Sequence, residues 1–435
     1  MKNLKVALLG CGNVGSQVAR ILLDDADELA ARTGARLVLE GIAVRDTAAP
    51  RDVELPSGLF TTDAETLIDG ADVVIELMGG HEPAGTLIRR AIAGGAAVVS
   101  GNKALLARDL PELSALADEA GVQLSYEAAV AGAIPILRPL RDSLSGDRVT
   151  KVMGIVNGTT NYILDAMDTT GAQFADALVE AKALGYAEAD PTADVEGHDA
   201  AAKAAILASL SFHTAFNLSD VHCEGITAVT ADDVRAARQA GMVIKLLAIA
   251  ERIDGTDGAD GIAVRVHPTL LPREHPLATV HGAFNAVFVE AENAGQLMFY
   301  GQGAGGKPTA SAVVGDVVSA ARRTVAGGPG RTERTTGSMR ALPIDEIRTS
   351  YSIGLEVSDE TGVLAAIAGI FAERGVSIET MHQKTHADAD GEPGYATLRF
   401  VTHVGRESAL AATVADIGRL PVVRDITSVL RVEGN

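Results

Sequence analysis

The chain has 435 residues, 47% of them hydrophobic, a formal net charge of -20 and two cysteines, Cys11 and Cys223. This length predicts two or three domains with ample apolar content for buried cores. The acidic balance disfavours nucleic acid or an anionic membrane as the main partner, and two cysteines cannot form a disulfide framework. No apolar run approaches the roughly 18 residues of a membrane span. MKNLKVALLG enters a strand pattern rather than a signal peptide, so a cytoplasmic setting is expected.

In chain order, Leu4 to Leu9 is a short apolar run of buried-strand type, closed by Gly10, Gly12 and Gly15 in GCGNVG, with a helical pattern from Val14 to Leu29 beyond it. Gly-x-Gly-x-x-Gly between a strand and a helix lets a pyrophosphate approach the helix N-terminus, where free N–H groups and the helix dipole favour negative charge. Asn13 and Val14 belong to the same turn. A second strand, Arg36 to Val44, should end near the adenosine ribose, and its first polar residue is Arg45. Arginine suits a 2′-phosphate, which favours NADP, although NAD is possible because Asp46 follows and an exposed arginine after a strand is ordinary.

Asp72 to Leu77, Ala96 to Ser100 and Val122 to Tyr126 read as further parallel strands, with a helix from Pro83 to Ala93. Strand alternating with helix predicts a Rossmann-type, doubly wound α/β sheet over residues 1–133. Ligands bind beyond the carboxyl ends of such strands, so Lys103, just after Ser100, is a candidate near the nicotinamide as well as an ordinary surface lysine. The small-residue loop Glu127 to Pro135 could turn carbonyl oxygens onto a cation.

From 134 to 306 the pattern becomes mixed, as in an α+β substrate and dimerisation domain. Val149 to Asn157 is strand-like, NGTTN (157–161) caps a helix, and Ala231 to Ala250 reads as another helix. Strands are expected near Ile262 to Pro268 and Ala286 to Glu290. The densest chemistry is LGYAEADPTADVEGHDAAAKAAIL, Leu184 to Leu207, where Glu188, Asp190, Asp194, Glu196 and Asp199 precede Lys203. Asp199 and Lys203 share a helix face in the favourable acid-before-base order, which an exposed ion pair would also show. The alanine-rich surroundings predict a packed helix, and a lysine there needs a reason. The segment reads as a pocket wall that holds a cationic amine by carboxylates and offers a lysine proton to an oxygen.

GQGAGGKPT, 301–309, opens a helix from Thr309 to Ala321 that returns the chain to the first domain; the turn could contact a ligand or serve as a flexible connection. Gly327 to Gly337 reads as a linker, within 326–348. After it, a strand (Tyr351 to Val357), a helix (Gly362 to Arg374), strands at Ser377 to Lys384 and Tyr395 to Val401, a helix (Ser408 to Ile417) and a strand (Val422 to Val432) give βαββαβ. That is a ferredoxin-like module over 349–435, suited to ligand sensing or assembly.

Three stretches together, GIVNGTTNYIL (154–164), the acidic segment ending at Leu207 and the GQGAGG turn, resemble the homoserine dehydrogenases that carry a C-terminal ACT regulatory domain, and the resemblance spans essentially the whole chain. It implies that Glu188 grips the substrate amino group, that Asp194 and Asp199 position substrate and lysine, that Lys203 donates and accepts the proton, and that Lys103 lies near cofactor and substrate. It implies cofactor contacts at Gly185 and Gly305, and sodium or another monovalent cation at Glu127, Val130, Gly132 and Ile134, mainly through carbonyl oxygens. Asp359, Gly362, Val363 and Leu364 resemble the ACT loop that receives amino acids. The departure is Cys11, a small residue inside the glycine turn.

The implied reaction is NADPH-dependent reduction of L-aspartate 4-semialdehyde to L-homoserine, with Lys203 protonating the alkoxide. L-Threonine feedback through the ACT domain and a homodimer or homotetramer are further expectations; ferredoxin-like sheets expose edges that could pair. A nicotinamide enzyme for another amino acid and a non-catalytic sensor are alternatives, opposed by the acidic segment, NGTTN and the lysine pair.

Overall fold

The computed structural model describes every residue except 255–259, 329–336, 387–393 and 435. The first sheet is built from Lys2–Leu9 (β1), Ala35–Ala43 (β2), Phe60–Thr61 (β3), Val73–Glu76 (β4), Ala97–Ser100 (β5) and Leu124–Ser125 (β6). All pairs are parallel in the order β3-β2-β1-β4-β5-β6. The central strands read as uninterrupted apolar runs because both faces are covered. Asn13–Asp24 (α1) packs on one face; Ala84–Ala93 (α4) and Lys103–Ala120 (α5) pack on the other. The single helix expected from Val14 to Leu29 is two, because Asp25 leaves helical geometry at φ -101°, ψ 20° and starts Ala26–Thr33 (α2). Ala64–Ile68 (α3) joins the layer of α4 and α5.

The mixed region contributes Val149–Ile155 (β7), Gly158–Thr170 (α6), Phe174–Ala183 (α7), Thr192–Val195 (α8), His198–Phe212 (α9) and His222–Cys223 (β8). Ala231–Gln239 (α10), Met242–Ile253 (β9), Gly261–Pro272 (β10), Phe284–Ala291 (β11) and Gly295–Gln302 (β12) follow. The helix expected from Ala231 to Ala250 is therefore wrong in its second half. Gly241, at φ +72°, turns the chain after α10, and β9 is a central strand buried on both faces, so it shows none of the alternation that marks a strand. Strand β12 has no counterpart among the expected elements. The return helix, Gly306–Ala326 (α11), is longer than expected at both ends and packs beside α1 in the core of the first sheet.

The last region contains Arg340–Leu342 (β13), Arg348–Ser358 (β14), Val363–Glu373 (α12), Ile378–His386 (β15), Tyr395–Thr402 (β16), Gly405–Arg406 (β17), Glu407–Ile417 (α13) and Val423–Val432 (β18). Most of the expected linker Gly327 to Gly337 lies outside the described residues. The βαββαβ order holds, with sheet order β18-β14-β16-β15. This sheet is not separate. Strand β18 also pairs in parallel with β10, Thr269 to Arg431 and Leu270 to Val432, joining both regions in one twelve-stranded sheet. Buried ion pairs seal the joint: Arg265 Nη2 donates to Glu433 at 2.6 Å and Glu251 at 2.8 Å, and Lys151 Nζ donates to Glu433 at 2.6 Å. Among the described residues no helix is long and apolar enough to cross a membrane.

Candidate active site

The glycine turn has the geometry its sequence requires. Gly10 sits at φ +95°, where a side chain would meet the Leu77 carbonyl oxygen at 2.6 Å, and a Cβ on Gly15 would lie 2.2 Å from the Gly10 oxygen. Gly12 faces open space and starts α1 without a side-chain cap, which leaves the first-turn N–H groups for an anion. Asn13 is wedged against Gly306, whose Cβ would fall 2.3 Å from Asn13 Oδ1, so the GQGAGG turn closes over the glycine loop. Gly305, at φ +119°, begins α11, also without a side-chain cap. Val14 packs into the first core. These residues fit a dinucleotide.

Arg45 is exposed just past β2. A second arginine, Arg51, escapes the sequence reading: its guanidinium donates to the Ala49 oxygen at 2.7 Å and the Asp46 oxygen at 2.9 Å and stacks 4.0 Å from the Phe60 ring centroid. Burial pushes the Cys11 thiol up while the neighbouring Arg51 charge pulls it down, which places Arg51 beside the glycine turn. Lying in a loop with no periodicity, it gives no sequence signal.

The lysine site forms where three elements converge. Strand β7 runs into Val156 and Asn157; α9 follows the left-handed Gly197; α5 begins at Lys103, capped by Asn102, whose side chain accepts from Leu105 N at 3.2 Å. Lys203 is 8% exposed, and its Nζ donates to the Val156 oxygen and to Asp199 Oδ2, both at 2.6 Å. Lys103 Nζ donates to the other Asp199 oxygen. Asn157 Nδ2 bridges Asp199 Oδ2 at 3.0 Å and Asp194 Oδ1 at 2.7 Å, and Thr159 Oγ1 lies 3.2 Å from Asp194 Oδ2. Burial alone would raise the Asp199 pKa, but Lys203 and Lys103 outweigh it and hold the carboxyl well below the usual range. The i,i+4 pair is thus a buried one in a network.

Glu188 is exposed on the loop between α7 and α8, with no hydrogen bond or ion pair among the described residues. The loop itself is held: Thr159 Oγ1 donates to the Tyr186 oxygen at 2.5 Å and Lys182 Nζ to the Ala189 oxygen at 3.0 Å. Gly185 makes its turn at φ +77° with open space beside it.

At the other loop, Ala131 and Gly132 have φ of +57° and +58°, and Gly132 presses on Gly303, where a Cβ would lie 2.3 Å from the oxygen. The buried Glu127 carboxylate accepts from Leu137 N at 2.7 Å and Arg138 Nε at 2.9 Å. It is committed to folding the next turn, which leaves the main chain of Glu127, Val130, Gly132 and Ile134 as the oxygen source. In the ferredoxin-like region, Asp359 precedes α12, Gly362 caps it at φ +95°, Val363 is buried and Leu364 is 39% exposed. These four stand apart from the lysine cluster.

Residues 10–127 match the family model for the homoserine dehydrogenase NAD binding domain, residues 135–318 that for homoserine dehydrogenase, and residues 351–422 that for the ACT domain. A homoserine dehydrogenase from Corynebacterium glutamicum is 53% identical over 430 residues, covering 98% of this chain and 95% of its own. One from Mycobacterium tuberculosis is 53% identical over 435 residues, covering 100% and 98%. The crystal structure of a homoserine dehydrogenase from Thiobacillus denitrificans superposes with a TM-score of 0.91 at 40% identity, over 100% of this chain and 99% of that one. With the catalytic, nucleotide-binding and ACT regions all matched along their length, this chain belongs to the homoserine dehydrogenase family of oxidoreductases.

Proposed function

We propose that the chain interconverts L-aspartate 4-semialdehyde and L-homoserine with NADP as the preferred cofactor, Lys203 acting as general acid in reduction and general base in oxidation. The observation that carries this is the single Asp199 carboxylate shared by two lysines. An ammonium has three N–H donors; Lys203 spends two on Val156 and Asp199, and the third can serve a substrate oxygen. Asp199, ionised across the neutral range, fixes both ammonium groups, while Asn157 ties it to Asp194. Lys103 orients the substrate beside the cofactor, and Glu188, which has no partner among the described residues, takes the substrate amine. When bound, the nicotinamide supplies or accepts the hydride.

The glycine turn, Asn13, Val14, Gly185, Gly305 and Arg45 would hold the dinucleotide, with Arg45 favouring the 2′-phosphate. The carbonyls of Glu127, Val130, Gly132 and Ile134 would hold sodium or another monovalent cation. L-Threonine would act through Asp359, Gly362, Val363 and Leu364, in a homodimer or homotetramer working in the cytoplasm. The deciding experiment follows nicotinamide absorbance with L-homoserine, comparing NADP with NAD. Turnover favouring NADP is expected; NAD preference would discard Arg45, and no turnover with either would discard the substrate. Threonine inhibition that persists unchanged when Asp359 and Leu364 are both replaced by alanine would remove the ACT loop from the regulatory assignment.

A further inference from the structure

Glu76, the last residue of β4, is fully buried, yet among the described residues every group that donates to its carboxylate is neutral. Oε1 accepts from Met78 N at 2.8 Å and Asn102 Nδ2 at 3.4 Å, and Oε2 accepts from Ser100 Oγ at 2.8 Å. A carboxylate buried without a cation is costly to keep, and its retention calls for a task. Its bonds lead to one place. Ser100 Oγ accepts from Asn102 N at 3.1 Å, and Asn102 Nδ2 also donates to the Gly80 oxygen at 2.7 Å. The free oxygen of that same Asn102 side chain caps α5, whose first residue is Lys103.

We propose that Glu76 is a positioning residue for Lys103: it locks the carboxyl ends of β4 and β5 to Asn102, Asn102 sets the start of α5, and α5 delivers the Lys103 ammonium to Asp199. This rests on the catalytic role assigned to Lys103 above. The relay explains why a side chain at the carboxyl end of β4 can matter to a carboxylate on α9 to which it makes no hydrogen bond. Tightening or loosening the cap moves Lys103 first, because its Cα is the next atom group along the chain.

The test is a double-mutant cycle on the full chain, with kcat and KM for L-homoserine read separately. Glu76→Ala should lower kcat by about 10- to 100-fold, the cost expected of a catalytic group displaced by about an ångström. Glu76→Gln should recover most of that loss, since its carboxamide oxygen still accepts from Met78 N and its NH2 can donate to a reoriented Ser100 hydroxyl. In a Lys103→Ala background, Glu76→Ala should cost less than about threefold more, because the residue acts through the lysine already removed. Losses that multiply in the double variant, or a wild-type kcat for Glu76→Ala, would overturn the inference. If Glu76→Ala does not fold, Asn102→Ala takes its place in the cycle with the same two readings. A wild-type kcat for Lys103→Ala alone would instead overturn the role of Lys103 itself, whereas a damaged Lys103→Ala with multiplying losses defeats only the positioning role of Glu76.

Discussion

At the joint between β10 and β18 each buried cation meets more than one acid. Arg265 and Lys151 share Glu433 and Glu251, and Arg431 lies between Glu407 and Glu224, the latter at 2.8 Å, with the Tyr351 hydroxyl also on Glu407 at 2.5 Å. At the lysine site the ratio is reversed, with two ammonium groups on one carboxylate. Charges flanked by more than one acid specify a geometry, even though Arg265 Nε and Nη1 find no partner among the described residues. Under-neutralised ones keep a donor available, which is what a general acid needs. The same physics of buried charge thus builds a joint in one place and the proposed reactive site in the other.

The sharpest break in this contrast is Lys203→Ala, which should lower kcat by about 100- to 10,000-fold while NADPH binding, followed by cofactor fluorescence, changes little. Near wild-type turnover would sink the assignment of the proton. Arg265→Leu tests the other side. It leaves Glu433 and Glu251 without their buried guanidinium and should cost about 3–5 kcal/mol in urea unfolding. Turnover per folded molecule should stay within about twofold, since neither Arg265 nor its acid partners bond to Lys203, Lys103 or Asp199; a collapse of kcat with intact stability would mean the joint is part of the catalytic machinery.

Glu188→Gln removes one charge-assisted bond to the substrate amine, worth about 1.5–3 kcal/mol, and should raise the L-homoserine KM about 10- to 100-fold. An unchanged KM would take Glu188 out of the amine site. The smallest effect at neutral pH belongs to His267. Complete burial, with Arg431 and Arg265 nearby, lowers its pKa from 6.5 to about 3. Between those values the unfolded chain binds a proton that the folded one refuses. Stability should therefore fall as pH drops from about 6.5 toward 3, by up to about 1.4 kcal/mol per pH unit, and His267→Gln should flatten that slope in acid unfolding. An unaltered slope would locate the acid sensitivity elsewhere.

Much of the site is legible in the amino-acid sequence because its signals are short-range. Glycine spacing dictates the dinucleotide turn, four-residue spacing puts Asp199 and Lys203 on one face of α9, and strand and helix periods spell out the βαββαβ order. Where local signals fall silent, the reading fails. Strand β9 reads as helix because burial on both faces erases alternation, and Arg51 and Glu76 stay hidden because a lone charged residue in a loop or at a strand end carries no pattern.

The sequence by itself determined the turn that can receive a pyrophosphate, the carboxylate and lysine on one helix, and the order of elements in the nucleotide-binding and ferredoxin-like regions, since each depends on backbone conformation within a few residues. Only the tertiary structure decided that Lys103 reaches Asp199 across 96 positions, that Asn157 links Asp194 to it, and that β18 fuses two sheets through Arg265 and Glu433. Those pairings follow from which buried groups packing leaves within hydrogen-bond reach. A burial cost falls on any polar group that finds no partner, so the fold, rather than spacing along the chain, selects the partners.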